Sequence, residues 1–296
     1  MKSIGLIGCG SWGKNILRDL LKLGCMVYVA DIDEAARERA EISGAAGTYP
    51  ECNKLPMCDG YVVAVPIPDL SKICAELLSR KRPVFSEKTL LQSMDDYDTL
   101  NNLGGTEYIF SMHKWRYHPG IEALRVTAAS GSIGGIQEIV TTRYGWVEDF
   151  HGGDVFWTLA VHDLTIIKHI LGYISQQVRA INVINNSQGL PVSLTAMLGD
   201  GPVVVISASG QHSTKRSGVS VHGEKGSAEL YNAYDDHIII RTEDGESKIP
   251  IDTTFPLYLE LKEFIEYLDG GPRPRCGLNE AKEVTNAILN LKRFVK

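Results

Sequence analysis

The sequence predicts an α/β chain of two domains: a parallel sheet covered by helices on both faces, then an α+β domain built on a mostly antiparallel sheet. Three observations predict this. At about 150 residues per domain, 296 residues give two cores. Up to about Met112, short β-type runs alternate with helical patterns. Beyond Pro119, β-type runs follow one another closely, separated by turn residues. The boundary is expected at 118/119, giving domains 1–118 and 119–296.

Ile4 to Ile7 reads as the first strand, and Ile16, Leu17, Leu20 and Leu21 recur at helical spacing until Gly24, a C-terminal cap. Met26 to Ala30 is the second strand. Asp33 caps a helix over Glu34 to Ile42. Tyr61 to Val65 is a continuous apolar run of the kind that fills a buried parallel strand. Asp69 is expected to cap the next helix, whose stripe is Leu70, Ile73, Leu77 and Leu78. Strands follow at Pro83 to Ser86 and Tyr108 to Met112. The second domain begins with a helix, Ile121 to Ala129, a turn over Gly131 to Gly135, and a long β-type stretch from Ile136 to Trp146. A single helix is expected over Phe156 to Leu171, stopped by Gly172. Strands are expected at Val178 to Ile184, Leu194 to Leu198, Val203 to Ser209, Val219 to His222 and His237 to Arg241, and closing helices at Tyr258 to Leu268 and Asn279 to Phe294.

With 44% hydrophobic and 22% charged residues the chain is neither disordered nor collagen-like. A net charge of −6 with scattered basic residues argues against nucleic acid as a partner. No window reaches the ~18 apolar residues of a membrane span, and the N-terminus runs into a glycine loop at Gly8, so a soluble, cytoplasmic protein with no membrane partner is expected. The six cysteines show no CxxC pairing and read as reduced structural thiols. His151, Asp154 and His162 match no metal-ligand spacing, so no metal is expected.

Gly8-Cys9-Gly10-Ser11-Trp12-Gly13 fits G-x-G-x-x-G, directly after the first strand and opening the first helix. Gly8 permits the tight turn, Gly10 the approach of backbone amides to a pyrophosphate, and Gly13 the packing of helix on strand. Asp31 ends the second strand, where an acid accepts hydrogen bonds from the adenosine ribose and repels a 2′-phosphate. NAD is therefore expected, with NADP left open by Arg37 and Arg39 on the following helix. Lys88 ends a strand of the parallel sheet, where such sheets bind ligands, and a lysine there can stabilise an alkoxide. His162 suits general-base work near neutral pH. Trp115 and Trp157 are open to two readings, stacking on a sugar ring or plain packing.

The glycine loop, Glu87-Lys88, Arg116-Tyr117-His118-Pro119, Gly152-Gly153 followed by His162-Asp163-Leu164, and the stretch His222 to Leu230 together resemble the glucose-fructose oxidoreductase, inositol dehydrogenase and rhizopine-catabolism (Gfo/Idh/MocA) family over nearly the whole chain. The resemblance implies an N-terminal Rossmann domain, a C-terminal α+β domain with an open sheet, and hydride transfer between nicotinamide and a sugar-like carbon in the cleft between them. It implies Lys88 and His162 as catalytic residues and Arg116, Tyr117 and Thr158 as substrate contacts. Gly8, Gly10, Ser11, Trp12, Gly13, Asp31, Val65, Pro66, Glu87 and Lys88 would bind the cofactor, and a homodimer or homotetramer would form through the open sheet. Three departures stand out. The family's Glu-Lys-Pro is Glu87-Lys88-Thr89, its Thr-Pro-Asn segment reads Val65-Pro66-Ile67-Pro68-Asp69, and the aspartate four residues before the histidine is Thr158. Asp163, Asp154 and Asp149 remain as carboxylates able to approach His162. The expected activity is an NAD(P)-dependent dehydrogenase or reductase acting on a sugar, sugar nucleotide or cyclitol. The alternatives are an imine or enone reductase on the same scaffold, and a weakly catalytic dinucleotide-binding sensor or co-repressor.

Overall fold

The computed structural model describes residues 1–295. Backbone contacts divide the described residues into two units, Met1–Lys114 with Leu257–Lys282, and Trp115–Pro256 with the residues from Glu283 onward.

In the first unit, β1 (Ser3–Ile7), α1 (Gly13–Lys22), β2 (Met26–Ala30), α2 (Glu34–Ile42), β3 (Gly47–Tyr49), β4 (Gly60–Val63), α3 (Ile67–Leu78), β5 (Val84–Ser86), α4 (Met94–Asn102), α5 (Gly105–Tyr108) and β6 (Ile109–Ser111) follow in order. All strands are parallel and run β3-β2-β1-β4-β5-β6. The order turns outward in both directions from the β1/β4 pair, the point at which sheets of this kind bind ligands. Period-two alternation splits the strands between two cores. Tyr61, Val63, Val84 and Ile109 face α3 and α4. Ile4, Leu6, Val62, Phe85 and Phe110 face α1, through Ile16, Leu17 and Leu20.

In the second unit, α6 (Pro119–Ser130) leads to β7 (Ile136–Trp146), a π-helical turn (Phe156–Ala160) that continues as α7 (Val161–Leu171), and then β8 (Val178–Asn185), β9 (Pro191–Leu198), β10 (Val203–Ser209), β11 (Gln211–Gly223), β12 (Gly226–Leu230), β13 (His237–Thr242) and β14 (Gly245–Pro250). The eight strands run β14-β13-β12-β11-β7-β10-β9-β8, with β7 and β10 parallel and the other neighbours antiparallel. On one face Ile139, Val204, Ile206, Leu194, Ala196, Val219 and Leu230 are buried. Their alternating neighbours on the other face, among them Val140, Thr142, Val205 and Ser207, stay partly exposed. The expected fold class is therefore the observed one.

The boundary at 118/119 needs correction, because α8 (Pro256–Leu268) and the first turn of α9 (Leu278–Arg293) return to the first unit. Leu257, Leu261 and Phe264, spaced i, i+4, i+7, join the α1-side core. Phe264 stacks on Phe85 with centroids 4.9 Å apart. Gly60 makes room for the helix, since a Cβ there would sit 2.9 Å from Leu268 Cδ1. Three smaller expectations also change. Pro66, not Asp69, is the N-cap of α3, and Asp69 lies in its first turn. The expected single helix over Phe156 to Leu171 begins with the π-helical turn. The run Val219 to His222 is the end of a strand beginning at Gln211, and His222 to Leu230 is a hairpin in which β12 pairs with β11.

Candidate functional site

The glycine loop divides its work as its spacing predicts. Gly8 has φ +87°, and a Cβ on it would fall 2.4 Å from the Ala64 carbonyl oxygen, while a Cβ on Gly13 would fall 2.2 Å from the Gly8 oxygen. Both are glycine because backbone packs against backbone. A Cβ on Gly10 would meet nothing within 4 Å. Gly10 therefore opens on space at the N-terminus of α1, where amide dipoles favour an anion, and this fits a pyrophosphate. Ser11 is exposed in the same loop. Val65 and Pro66 follow β4, with Val65 beside Gly8.

Asp31 is fastened to this loop: its Oδ2 accepts from Cys9 N at 2.6 Å and its Oδ1 from Asp33 N at 2.9 Å. Arg37 donates to the carbonyls of Asp31 and Ile32, at 2.8 and 3.1 Å. Arg39 lies 3.6 Å from Asp33. One of the two arginines that left NADP open is thus occupied with backbone.

Trp12 is the N-cap residue of α1, and its Nε1 donates to Glu87 Oε1 just beyond β5. Lys114, just beyond β6, holds its Nζ 4.5 Å from the Trp12 ring centroid. Glu87 Oε2 accepts from Lys88 N at 3.1 Å, and the Lys88–Thr89 peptide is cis. Burial pushes the Glu87 carboxyl up, against Lys88, the Trp12 hydrogen bond and Lys114. The structure thus brings Trp12, Glu87, Lys88 and Lys114 together at the carboxyl ends of β5 and β6.

One further member of this group, Glu260 on α8, carried no functional reading in the sequence. It is 1% exposed and takes a hydrogen bond from the His113 backbone. A signal existed: Glu260 lies three residues after Leu257 and four before Phe264, a charged residue on the apolar face of an amphipathic helix.

In the second unit, His162 is 9% exposed on α7. Thr158 lies in the preceding π-helical turn and donates its hydroxyl to the Phe150 carbonyl at 3.2 Å. The carboxylates that could have replaced the aspartate are each committed elsewhere. Asp163 pairs with Arg143 at 3.0 Å, Asp154 caps Phe156 N and pairs with Lys292 at 2.5 Å, and Asp149 sits 3.2 Å from His151. Arg116 Nε donates to His169 Nδ1 at 3.5 Å, and His169 Nε2 lies 2.7 Å from Glu122 Oε2. Tyr117 is buried. Trp115 stacks on His118 and carries the Arg143 guanidinium 4.3 Å from its centroid, which resolves its reading as packing. Trp157, 5.3 Å from Lys292 Nζ, is also buried.

A family model described as NADP oxidoreductase, coenzyme F420-dependent, matches residues 3–90. No curated protein matches the chain. Among solved structures, an oxidoreductase from Agrobacterium radiobacter, in complex with NAD+, L-tartaric acid and magnesium, has a TM-score of 0.85 at 14% identity, covering 98% of this chain and 94% of its own. UDP-N-acetylglucosamine 3-dehydrogenase from Acidithiobacillus ferrooxidans gives 0.85 at 17%, covering 99% and 97%. A putative myo-inositol dehydrogenase from Sinorhizobium meliloti gives 0.81 at 19%, covering 99% and 95%. The chain has their fold. Within this fold, the glycine loop and Lys88 belong to the parallel-sheet unit and His162 to the other. No described helix is long and apolar enough to cross a membrane.

Proposed function

We propose that this chain is an NAD(P)-dependent oxidoreductase moving a hydride between nicotinamide and a secondary alcohol or ketone of a sugar, sugar nucleotide or cyclitol. The observation that carries the reading is the glycine loop: two glycines demanded by backbone packing and a third, Gly10, left open at a helix N-terminus. The loop amides would hold the pyrophosphate. Asp31, fixed by two backbone amides, would meet the adenosine ribose and disfavour a 2′-phosphate, so NAD is the preferred form.

When bound, the nicotinamide supplies the hydride acceptor or donor at C4. Lys88 is assigned the role of hydrogen-bonding the substrate oxygen and stabilising its developing charge. His162 is assigned proton exchange with that oxygen. Tyr117, Thr158 and Arg116 are assigned to the substrate, Arg116 for an anionic part. The natures of the similar structures, a sugar-nucleotide dehydrogenase and a putative cyclitol dehydrogenase among them, support a small-molecule substrate of this class. A homo-oligomer built through the open sheet face and a cytoplasmic location belong to the same reading.

The departures at Thr89 and Thr158 favour a second reading, in which the same scaffold reduces a carbonyl or imine. Following nicotinamide absorbance with a panel of sugars, sugar nucleotides and cyclitols, and in reverse with ketones and cyclic imines, tests both. Oxidation of one polyol class supports the first, turnover only in the reductive direction the second, and tight dinucleotide binding with no turnover leaves the sensor.

A further inference from the structure

Glu260 lies on the α8 face that covers the first unit's core, 1% exposed, yet it is an acid. One carboxyl oxygen is engaged by the His113 backbone, while Oε2 is buried with no hydrogen-bond partner. Its charged surroundings are Glu87, Lys114 and Glu263. Glu263 is drawn away by Arg275, which meets it through N at 3.0 Å and Nε at 3.2 Å. Glu87 and Lys114 are the two groups that hold Trp12, one at its indole nitrogen and one over its ring. A fully buried carboxyl is therefore in electrostatic contact with both supports of a residue in the pyrophosphate loop.

We propose that Glu260 is a positioning residue for the glycine loop, acting through Lys114 and Glu87 to hold the Trp12 indole and the local charge in the form that accepts an anionic dinucleotide. This rests on the dinucleotide reading above. Burial, reinforced by Glu87, raises the Glu260 carboxyl well above the ordinary range, and Lys114 and the His113 amide oppose it only in part. That direction favours the neutral form of Glu260. Lys88 and Lys114 then outnumber Glu87 at the strand ends, whether or not Glu87 is ionised. Were Glu260 ionised, it would repel Glu87, draw Lys114 from the Trp12 ring and cancel that excess. The direction follows: a raised carboxyl pKa makes the neutral form the low-pH form, so dinucleotide affinity falls as pH rises. Cys9, in the same loop, also titrates on the alkaline side, its thiol pushed up by burial and by Asp31. It is common to every variant below and cancels in the comparison.

The test uses the full chain in two measurements. Trp12 emission, isolated by subtracting the Trp12→Phe protein, is followed against pH without dinucleotide. The dissociation constants of NAD and NADP are followed over the same range by calorimetry. The parent should show a step in Trp12 emission above the ordinary carboxyl range and lose affinity by about tenfold per pH unit above it, the slope of one linked proton. Glu260→Gln, permanently neutral and of the same shape, should keep neutral-pH affinity and lose both the step and the slope. Lys114→Gln should shrink the step with Glu260 intact, since part of the effect passes through Lys114 and the rest through Glu87. An unchanged step and slope in Glu260→Gln, or weakened neutral-pH binding in that variant equal to Glu260→Ala, overturns the positioning role. If neither dinucleotide binds while the step is present in the parent and absent in Glu260→Gln, the functional reading falls and the positioning of Trp12 stands.

Discussion

Glycine stands at three places in the loop for two different reasons, and substitution separates them. Gly10→Val adds a side chain to open space, so dinucleotide binding should vanish while the thermal midpoint moves little. Gly13→Ala forces a Cβ to 2.2 Å from a carbonyl oxygen, so the midpoint itself should fall. Calorimetry with and without NAD reads both, and tight binding by folded Gly10→Val would remove the loop from the site. At Asp31, substitution by Ser removes the charge facing the ribose and should shift preference towards NADP, though only partly, because Arg37 stays on the Asp31 and Ile32 carbonyls. Lys88→Met and His162→Asn should each lower turnover by ~10² or more, with dinucleotide affinity little changed in the His162 variant. Full activity in the His162 variant would pass the proton to another group, Tyr117 first. The loop, Asp31 and Lys88 are legible because glycine spacing and strand ends are local signals, whereas the family resemblance names His162. The sequence could not assign the partners of Asp154 and Asp163, which are Lys292 of α9, 138 positions away, and Arg143 of β7, 20 positions away.

The segment entering α7 is set by one side chain doing two jobs. Asp154 accepts from the backbone nitrogens of Phe156 and Trp157 at 2.9 and 3.3 Å and holds Lys292 of α9. Asp154→Ala should cost about 1–2 kcal/mol in urea unfolding for the lost cap, with Asn recovering much of it. Beneath α7, Arg143 of β7 meets Asp163 with both groups buried. Removing only one partner, as in Arg143→Met, should cost about 3–5 kcal/mol, because a charge is left buried, and the double apolar replacement should recover most of it. Between α6 and α7, Arg125 first and His169 second hold the Glu122 carboxyl down to about 2. A depressed carboxyl contributes stability above its unfolded pKa of ~4.3, lost as pH falls towards 2. Glu122→Gln should therefore flatten part of the acid limb of a stability-against-pH curve; as Glu122 is partly exposed, solvent screening keeps the effect small. An unaltered acid limb would show that the contact contributes nothing. Elements with a clear local signal, such as the β-type runs of β2 and β10 and the Asp33 cap of α2, stand where the sequence put them. Those it missed have weak local patterns: α4 buries only Tyr97 and Leu100, and every residue of β14 is exposed.

At the scale of the whole molecule, the first unit is closed by residues from the far end of the chain. Leu257, Leu261 and Phe264 complete the core against Phe85 and Phe110. A fragment of residues 1–118 should therefore fail to give a cooperative unfolding transition, because it exposes that apolar face. Supplying 257–282 through a linker should restore it, and calorimetry of the two fragments decides the matter. The amino-acid sequence by itself determined the two sheets and the glycine loop with its acid, each written in short-range periodicity or in spacing along one element, while the family resemblance singles out Lys88 and His162 as catalytic. Only the tertiary structure decided that α8 belongs with the parallel sheet, that three aspartates are spent away from His162, and that Glu260 lies buried beside Glu87 and Lys114. The α8, Lys292–Asp154 and Glu260 outcomes turn on contacts between residues a hundred or more positions apart, and no local pattern records them.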